Sequence, residues 1–286
     1  MVLASECIPC LLNQVIRTYR ILNYNDDEIY RRLRDAIAIL KMTDWNLTPP
    51  EIYFKIYYYI RSETGIDDPY KHVKKFWSSK LRSYEDKFRN LIVNSRDPIY
   101  TALKLSLAGN IVDFGALGEF NIDNTIRESL SKPLTIDHYE IFKRKLEDAR
   151  TLFYVLDNVG ESIFDRLFLE ILCENIKFDK IYIGIKMEPF INDVTYEDAL
   201  EEGFDKLGNV EFIEFPVDTE LFRRYRKKGL FEEWFKKADL TIMKGQGNLE
   251  LFYKFNNIFF ALMTKCNPVA KFIGVDRGSL IFKYQG

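Results

Sequence analysis

The sequence predicts an α/β protein, a Rossmann-like and mostly parallel sheet flanked by helices, with a helical region ahead of it. Three observations predict this class. Over the first 150 residues, apolar side chains recur at helical spacing between recognisable caps and stops. From residue 151 onward, short β-branched and aromatic runs alternate with helical patterns, as in successive strand–helix–strand units. Polar clusters then follow the ends of several of those runs, where ligands bind in parallel sheets.

The elements follow in order. Residues 5–22 carry a helical stripe with Ser5 placed as its cap, and residues 26–41 repeat the pattern. "TPPEIYFKIYYYIRSETG" sets Thr48 and two prolines at a helix start and Gly65 at its end. Residues 68–95 read as one long amphipathic helix, and "DPIYTALKLSLAGN" as another, with Asp97 as cap and Pro98 in the first turn. "GEFNIDNTIRESLSKPLTID" lacks strong periodicity, which divides a helical N-terminal region (1–120) from an α/β core (121–286). Strands are expected at "TLFYVLD" (151–157), "KIYIGIKM" (180–187), "NVEFIEF" (209–215), "DLTIMKG" (239–245) and "NIFFALMT" (257–264), with "LIFKY" (280–284) as an edge strand. Residues 160–175, "TYEDALEEGF", "GLFEEWFKKA" and "NLELFYKF" read as helices between them.

Composition narrows the function. The 286 residues are 47% hydrophobic and 29% charged, as in a packed, water-soluble protein. A net charge of −2 offers no concentrated basic face for nucleic acid, and "RRYRKK" (223–228) is flanked by acidic residues, as on a solvated surface. No run reaches the roughly 18–20 apolar residues that span a bilayer, so no membrane partner is expected. The start of the chain lacks the features of a signal peptide, and four scattered cysteines suit a reducing, cytoplasmic setting. Two histidines, His72 and His138, are too few for a His-rich zinc site, and the nucleophile-elbow and P-loop motifs are absent.

The polar clusters at strand ends are Asp157-Asn158, Asn192-Asp193, "KGQGNLE" (244–250) and Lys265. Asp157, Asn158 and Asp193 are hard oxygen donors, a set that prefers Mg²⁺ or Mn²⁺ to Zn²⁺. Lys244 and Lys265 are cations suited to phosphate, and the glycines beside Gln246 let backbone N–H groups approach an anion. Together these parts point to hydrolysis of a phosphoryl group with a divalent metal ion. Each has a plainer reading. Asp157-Asn158 also fits a helix cap and turn, Asp193 a cap for "VTYEDAL", and "KGQGN" an ordinary loop. Asn110 and Asp113 in "AGNIVDFG" also fit a helix end followed by a turn, and Glu161 the first turn of a helix, where its charge suits the dipole. Cys7 and Cys10 form C-x-x-C on a helix face; two buried thiols between helices, or a four-cysteine site with Cys173 and Cys266, are the alternatives there.

Six motifs, "ECIPCLLNQ", "AGNIVDFG", "DNVGE", "INDVTYEDA", "KGQGNLE" and "TKCNPVA", stand in an order that resembles the DUF89 family, also called the damage-control phosphatases, and the N-terminal C-x-x-C resembles its prokaryotic-type branch. The resemblance covers nearly the whole chain. It implies a metal-dependent phosphatase (Mg, Mn, Co or Ni) acting on small phosphorylated metabolites such as sugar phosphates or phosphopantetheine-type compounds, in metabolite damage control. It implies metal ligands at Asp157, Asn158 and Asp193, the same three donors. Asp157 and Asp193 are the catalytic candidates, one of them expected to orient or deprotonate a water or to attack directly. The resemblance places Gly245, Asn248 and Glu250 along the substrate pocket, Lys265 on the phosphate, and Asn110 and Asp113 on a motif joining the helical part to the site. Two other functions compete: a nucleotide- or S-adenosylmethionine-dependent transferase, which the lack of G-x-G-x-x-G after the first core strand disfavours, and a non-catalytic binding module.

Overall fold

The structure, a computed structural model, describes residues 3–109 and 122–286. Six helices come first: α1 (Cys7–Ile21), α2 (Asp26–Met42), α3 (Pro49–Thr64), α4 (Lys71–Arg82), α5 (Glu85–Val93) and α6 (Pro98–Ala108). Local chemistry sets their ends. Asn25 and Glu28 close a capping box on α2, and Thr48 and Glu51 close one on α3, which stops at Gly65 with φ 67°. Asp97 accepts from the Tyr100 N–H ahead of α6, as expected. Ser5 is not the cap of α1; Glu6 holds that position without a side-chain bond.

The long helix expected over 68–95 is two. The chain turns at Ser83 and Tyr84, where the Ser83 hydroxyl donates to the Lys80 carbonyl at 2.7 Å, a local bond that competes with helix continuation. The turn lets α4 bury Trp77 and Leu81 while α5 buries Phe88, whose ring lies 4.7 Å from that of Phe164.

After α7 (Ile122–Ser131) comes a two-residue strand, β1 (Ile136–Asp137), then α8 (Tyr139–Asp148), with His138 at its N-cap position. The core strands are β2 (Thr151–Val155), β3 (Lys180–Lys186), β4 (Val210–Phe215), β5 (Leu240–Lys244), β6 (Ile258–Met263) and β7 (Leu280–Gln285). Between them run α9 (Val159–Asn175), α10 (Tyr196–Glu202), α11 (Thr219–Lys227), α12 (Leu230–Phe235), α13 (Gln246–Phe252) and α14 (Asn267–Ile273). The run "RRYRKK" forms the exposed end of α11.

The seven strands lie in the order β1-β7-β6-β5-β2-β3-β4, and all neighbours are parallel except β6 and β7. The expected α/β architecture is therefore present. One detail differs. β7 is not an edge: it lies between β6 and β1, and the short β1 takes the edge through Ile136 and Asp137.

Strand β2 organises both the core and the site. Leu152 and Tyr154 point into one apolar cluster and Phe153 and Val155 into the other, because successive residues of a strand face opposite sides. Both clusters mix residues from before 109 with residues from after 122, so the N-terminal helices and the sheet share their cores. Each fully buried Leu or Phe contributes about 1.5–3 kcal/mol. From β2 the chain runs outward to β3 and β4 on one side and later to β5 and β6 on the other. That reversal makes the carboxyl end of β2 a topological switch point. Among the described residues no helix is long and apolar enough to cross a membrane.

Candidate active site

The site forms where β2, β3, β5 and β6 end side by side. Asp157 and Asn158 follow β2, and Asn192 and Asp193 follow β3. The two loops are tied by backbone bonds: Val159 N–H donates to the Asn192 carbonyl and Val194 N–H to the Asp157 carbonyl, each at 2.9 Å, and Asn158 pairs with Asp193 in an antiparallel bridge. Residues thirty-five apart in sequence thus become direct neighbours. Just before them Ile191 has φ 51°, a left-handed conformation that costs a β-branched residue on the order of 1–3 kcal/mol.

The plainer readings of these residues are not realised. Asn158 stands at the N-cap position of α9, yet its side chain makes no capping bond. Its Nδ2 donates instead to Asp157 Oδ2 at 2.8 Å and to Glu161 Oε1 at 2.6 Å. Asp193 does not cap α10 either. Thr195 does, with its N–H on Asp198 Oδ2 at 3.0 Å.

Gly245 closes the site from the β5 side. Its φ is 81°, and a Cβ there would stand 2.0 Å from Asp157 Cγ. Only glycine leaves room for that carboxylate. The Gly245 N–H is itself committed to the Ala261 carbonyl.

Electrostatics mark the cluster as charge-strained. Burial raises the Asp157 carboxyl well above the usual range, and the Glu161 and Asp193 carboxylates push it further, against Lys265 and Lys186. Burial likewise pushes Asp193 up to about 6, opposed chiefly by Lys186. Two crowded carboxylates and an amide oxygen are donors of the kind that could hold a hard cation, whose charge would relieve their repulsion. Among the described residues no group of three His, Cys, Asp or Glu is placed to hold a metal, so an amide donor is needed to make this set of three. An open depression of about 550 Å³ lined by Arg96, Asp97, Tyr100 and Asn175 lies elsewhere, and none of the site residues lines it.

The other expected residues divide. Lys265 is exposed, and its charge acts on both Asp157 and Asp193. Lys244 is fully buried, and its ammonium donates to the Ser106 carbonyl (2.9 Å), Glu161 Oε2 (3.0 Å) and Asp165 Oδ1 (2.6 Å). All three of its hydrogens are used, so the phosphate contact expected of it is not what this geometry offers. Burial pulls Lys244 down, but the Asp165 and Glu161 carboxylates outweigh it and hold the ammonium above its ordinary value.

Asn248, expected along the substrate pocket, is a buried brace. It donates to the Leu156 and Lys244 carbonyls and accepts from Lys186. Glu250 is buried too, accepts from Gln246 Nε2, and lies beside the thiols of Cys7, Cys10 and Cys266. Asn110 and Asp113 lie outside the described residues. Of the cysteines, Cys7 is buried but Cys10 is exposed, so they are not two buried thiols. Cys173 feels Glu170 and Glu174, whereas Cys7 and Cys10 feel Cys266, so Cys173 stands apart from the other three.

Lys186 and Asp165 are residues the sequence reading missed; Glu161 stands in the first turn of α9 as expected, but its contact with Lys244 was not foreseen. Lys186 Nζ lies 3.5 Å from Asp193 Oδ2 and 3.3 Å from Asn248 Oδ1. It sits inside a strand-like run, and its position at the carboxyl end of that strand was the one signal available. Glu161 and Asp165, four apart on α9, share a face and both reach Lys244.

Comparison with known proteins gives a consistent picture. The model of the family described as "Damage-control phosphatase ARMT1-like domain" matches residues 3–281. A damage-control phosphatase of Pyrococcus horikoshii is 30% identical over 285 residues, covering 96% of both chains. One of Archaeoglobus fulgidus is 28% identical over 302 residues, covering 99% of both. An uncharacterized protein of Methanocaldococcus jannaschii is 30% identical, covering 96% of this chain and 92% of its own. The crystal structure of a DUF89 family protein from P. horikoshii superposes with a TM-score of 0.87 at 29% identity, covering all of both chains.

Proposed function

The chain belongs to the damage-control phosphatase ARMT1-like family, and from that premise we propose that it hydrolyses small phosphomonoesters, sugar phosphates or phosphopantetheine-like metabolites, with a divalent ion as cofactor (Mg, Mn, Co or Ni). The observation that carries the reading is the convergence of Asp157, Asn158 and Asp193 at one strand rim, with Gly245 pressed against Asp157.

In this reading Asp157, Asn158 and Asp193 would hold the ion. The ion would supply positive charge to the phosphoryl oxygens as charge develops in transfer. Lys265 binds the phosphate dianion from the solvent side. Lys186 adds a buried positive charge beside Asp193. Hydrolysis breaks the bond from phosphorus to the ester oxygen, forms one to a water oxygen, and returns a proton to the leaving alcohol. Asp157 or Asp193 orients or deprotonates that water, or attacks phosphorus directly and is then released by water. Four free cysteines fit a reducing cytoplasm as the setting.

The test is a panel of phosphate esters assayed with Mg²⁺, Mn²⁺, Co²⁺ and Ni²⁺, alongside Asp157→Ala and Asp193→Ala. Metal-dependent release of phosphate that both variants abolish, with unchanged circular dichroism, is the expected result. Full turnover in both variants would overturn the assignment.

A further inference from the structure

The Asn158 amide has a defined orientation. Both partners of its Nδ2 are carboxyl oxygens, Asp157 Oδ2 at 2.8 Å and Glu161 Oε1 at 2.6 Å, and Glu161 also accepts from Lys244 through its other oxygen. The reverse orientation would set the amide oxygen against Glu161 Oε1. Oδ1, the only side-chain atom of Asn158 that can ligate a hard cation, is therefore turned away from both Glu161 Oε1 and Asp157 Oδ2.

Glu161 is in turn held from below. Its side chain is fully buried, and its Oε2 accepts from Lys244 Nζ at 3.0 Å. Lys244 is fixed by the Ser106 carbonyl and by Asp165 Oδ1, which also accepts from the Ser106 and Tyr154 hydroxyls at 2.7 and 2.8 Å. The chain of contacts runs from the interior of α6 and β5 up to the rim and ends on one side of a single amide.

We propose that Glu161 is a positioning residue for the cation site: it locks the Asn158 amide with Oδ1 toward the ion, and Lys244 serves as the buried counter-charge that holds Glu161 in place. The proposal rests on the functional reading above, since it presupposes a cation between Asp157, Asn158 and Asp193. A glutamine at 161 cannot keep both contacts. With its oxygen on Lys244, its NH2 faces the Asn158 NH2, and the contact that fixes the amide from the Glu161 side is lost. The loss acts through the Asn158 amide, so it has no effect where residue 158 carries none.

The experiment measures Mn²⁺ binding directly, by the electron paramagnetic resonance signal of free Mn²⁺, on wild type, Glu161→Gln, Asn158→Ala and Glu161→Gln/Asn158→Ala, each checked for folding by circular dichroism. Glu161→Gln should weaken Mn²⁺ binding tenfold or more, the range of about 10–100-fold seen when the partner of a metal ligand is lost. Added to Asn158→Ala, the same change should alter affinity by less than about threefold, because the residue it acts through is gone. Wild-type affinity in Glu161→Gln, or a further tenfold loss in the Asn158→Ala background, overturns the proposal while leaving the functional reading intact. If wild type itself binds no Mn²⁺, the functional reading falls and this proposal with it. Should Glu161→Gln fail to fold, Glu161→Asp, which keeps the charge beside Lys244 but shortens the reach to Asn158, takes its place in the same comparison with the same two outcomes.

Discussion

Gly245 and Asp157 compete for one space: a Cβ on residue 245 would lie 2.0 Å from both Cγ and Oδ2 of Asp157. An alanine there must displace the carboxylate or distort a backbone at φ 81°. Because Asp157 is buried and tied to Asn158, its displacement disturbs two proposed ligands at once. Gly245→Ala is expected to lower metal-dependent phosphatase turnover about a hundredfold or more, the order expected when reacting groups are misplaced by an ångström. Saturating Mn²⁺ should not recover it. Hydrolysis of p-nitrophenyl phosphate against a Mn²⁺ titration reads this out, and near-native turnover would show that the site has slack the geometry denies it.

Much of this site was legible in the chain. Asp157, Asn158, Asp193 and Lys265 follow recognisable strands, and the rule that parallel sheets bind ligands beyond their carboxyl ends brings such positions to one rim. Pairing across the sheet was less legible, because it depends on partners distant in sequence. β1 has two residues and no periodicity to show, so β7 read as an edge. The break between α4 and α5 rests on one serine turning its hydroxyl to the backbone inside an otherwise continuous amphipathic pattern. The roles of Lys244 and Asn248 escaped for a related reason. A lysine and an asparagine at a strand end look available to a ligand until their neighbours are known, and here buried partners take up their polar atoms.

Lys244 gives a prediction about stability. Its ammonium contacts both the buried Glu161 and the buried Asp165 carboxylates. Lys244→Met removes that charge and leaves both carboxylates buried without it. Breaking a buried pair in this way costs about 3–5 kcal/mol. The urea midpoint should fall accordingly, whereas the exposed Lys236→Met should stay within about 0.5 kcal/mol of wild type. Equal midpoints for the two variants would mean that Lys244 is not the counter-ion of this pair.

Lys265 should behave differently, because it is exposed and acts across the site. If it binds the phosphate dianion and not the cation, Lys265→Ala raises KM for a phosphomonoester and leaves Mn²⁺ affinity alone. A charge-assisted bond worth about 1.5–3 kcal/mol corresponds to a KM increase of roughly ten- to a hundredfold. A steady-state KM beside a direct Mn²⁺ titration separates the two effects. Weakened Mn²⁺ binding with unchanged KM would move Lys265 from substrate recognition to metal-site electrostatics.

Glu250 carries a pH dependence of stability. Burial pushes its carboxyl up to about 7, against the Gln246 amide that favours the charged form. In the unfolded chain the same group titrates near 4.5. The folded state therefore holds this proton more tightly than the unfolded state does. The group's contribution to stability is complete below about 4.5, declines as pH rises toward 7, and is gone above that. The loss is on the order of 3 kcal/mol at most. Glu250→Gln stays neutral at every pH, so its urea midpoint should lack this decline. Across pH 5 to 8 the difference between variant and wild type should shift steadily in the variant's favour. A constant difference over that range would show that Glu250 is already ionised at the acidic end, and that the thiols of Cys7, Cys10 and Cys266 beside it face a carboxylate throughout.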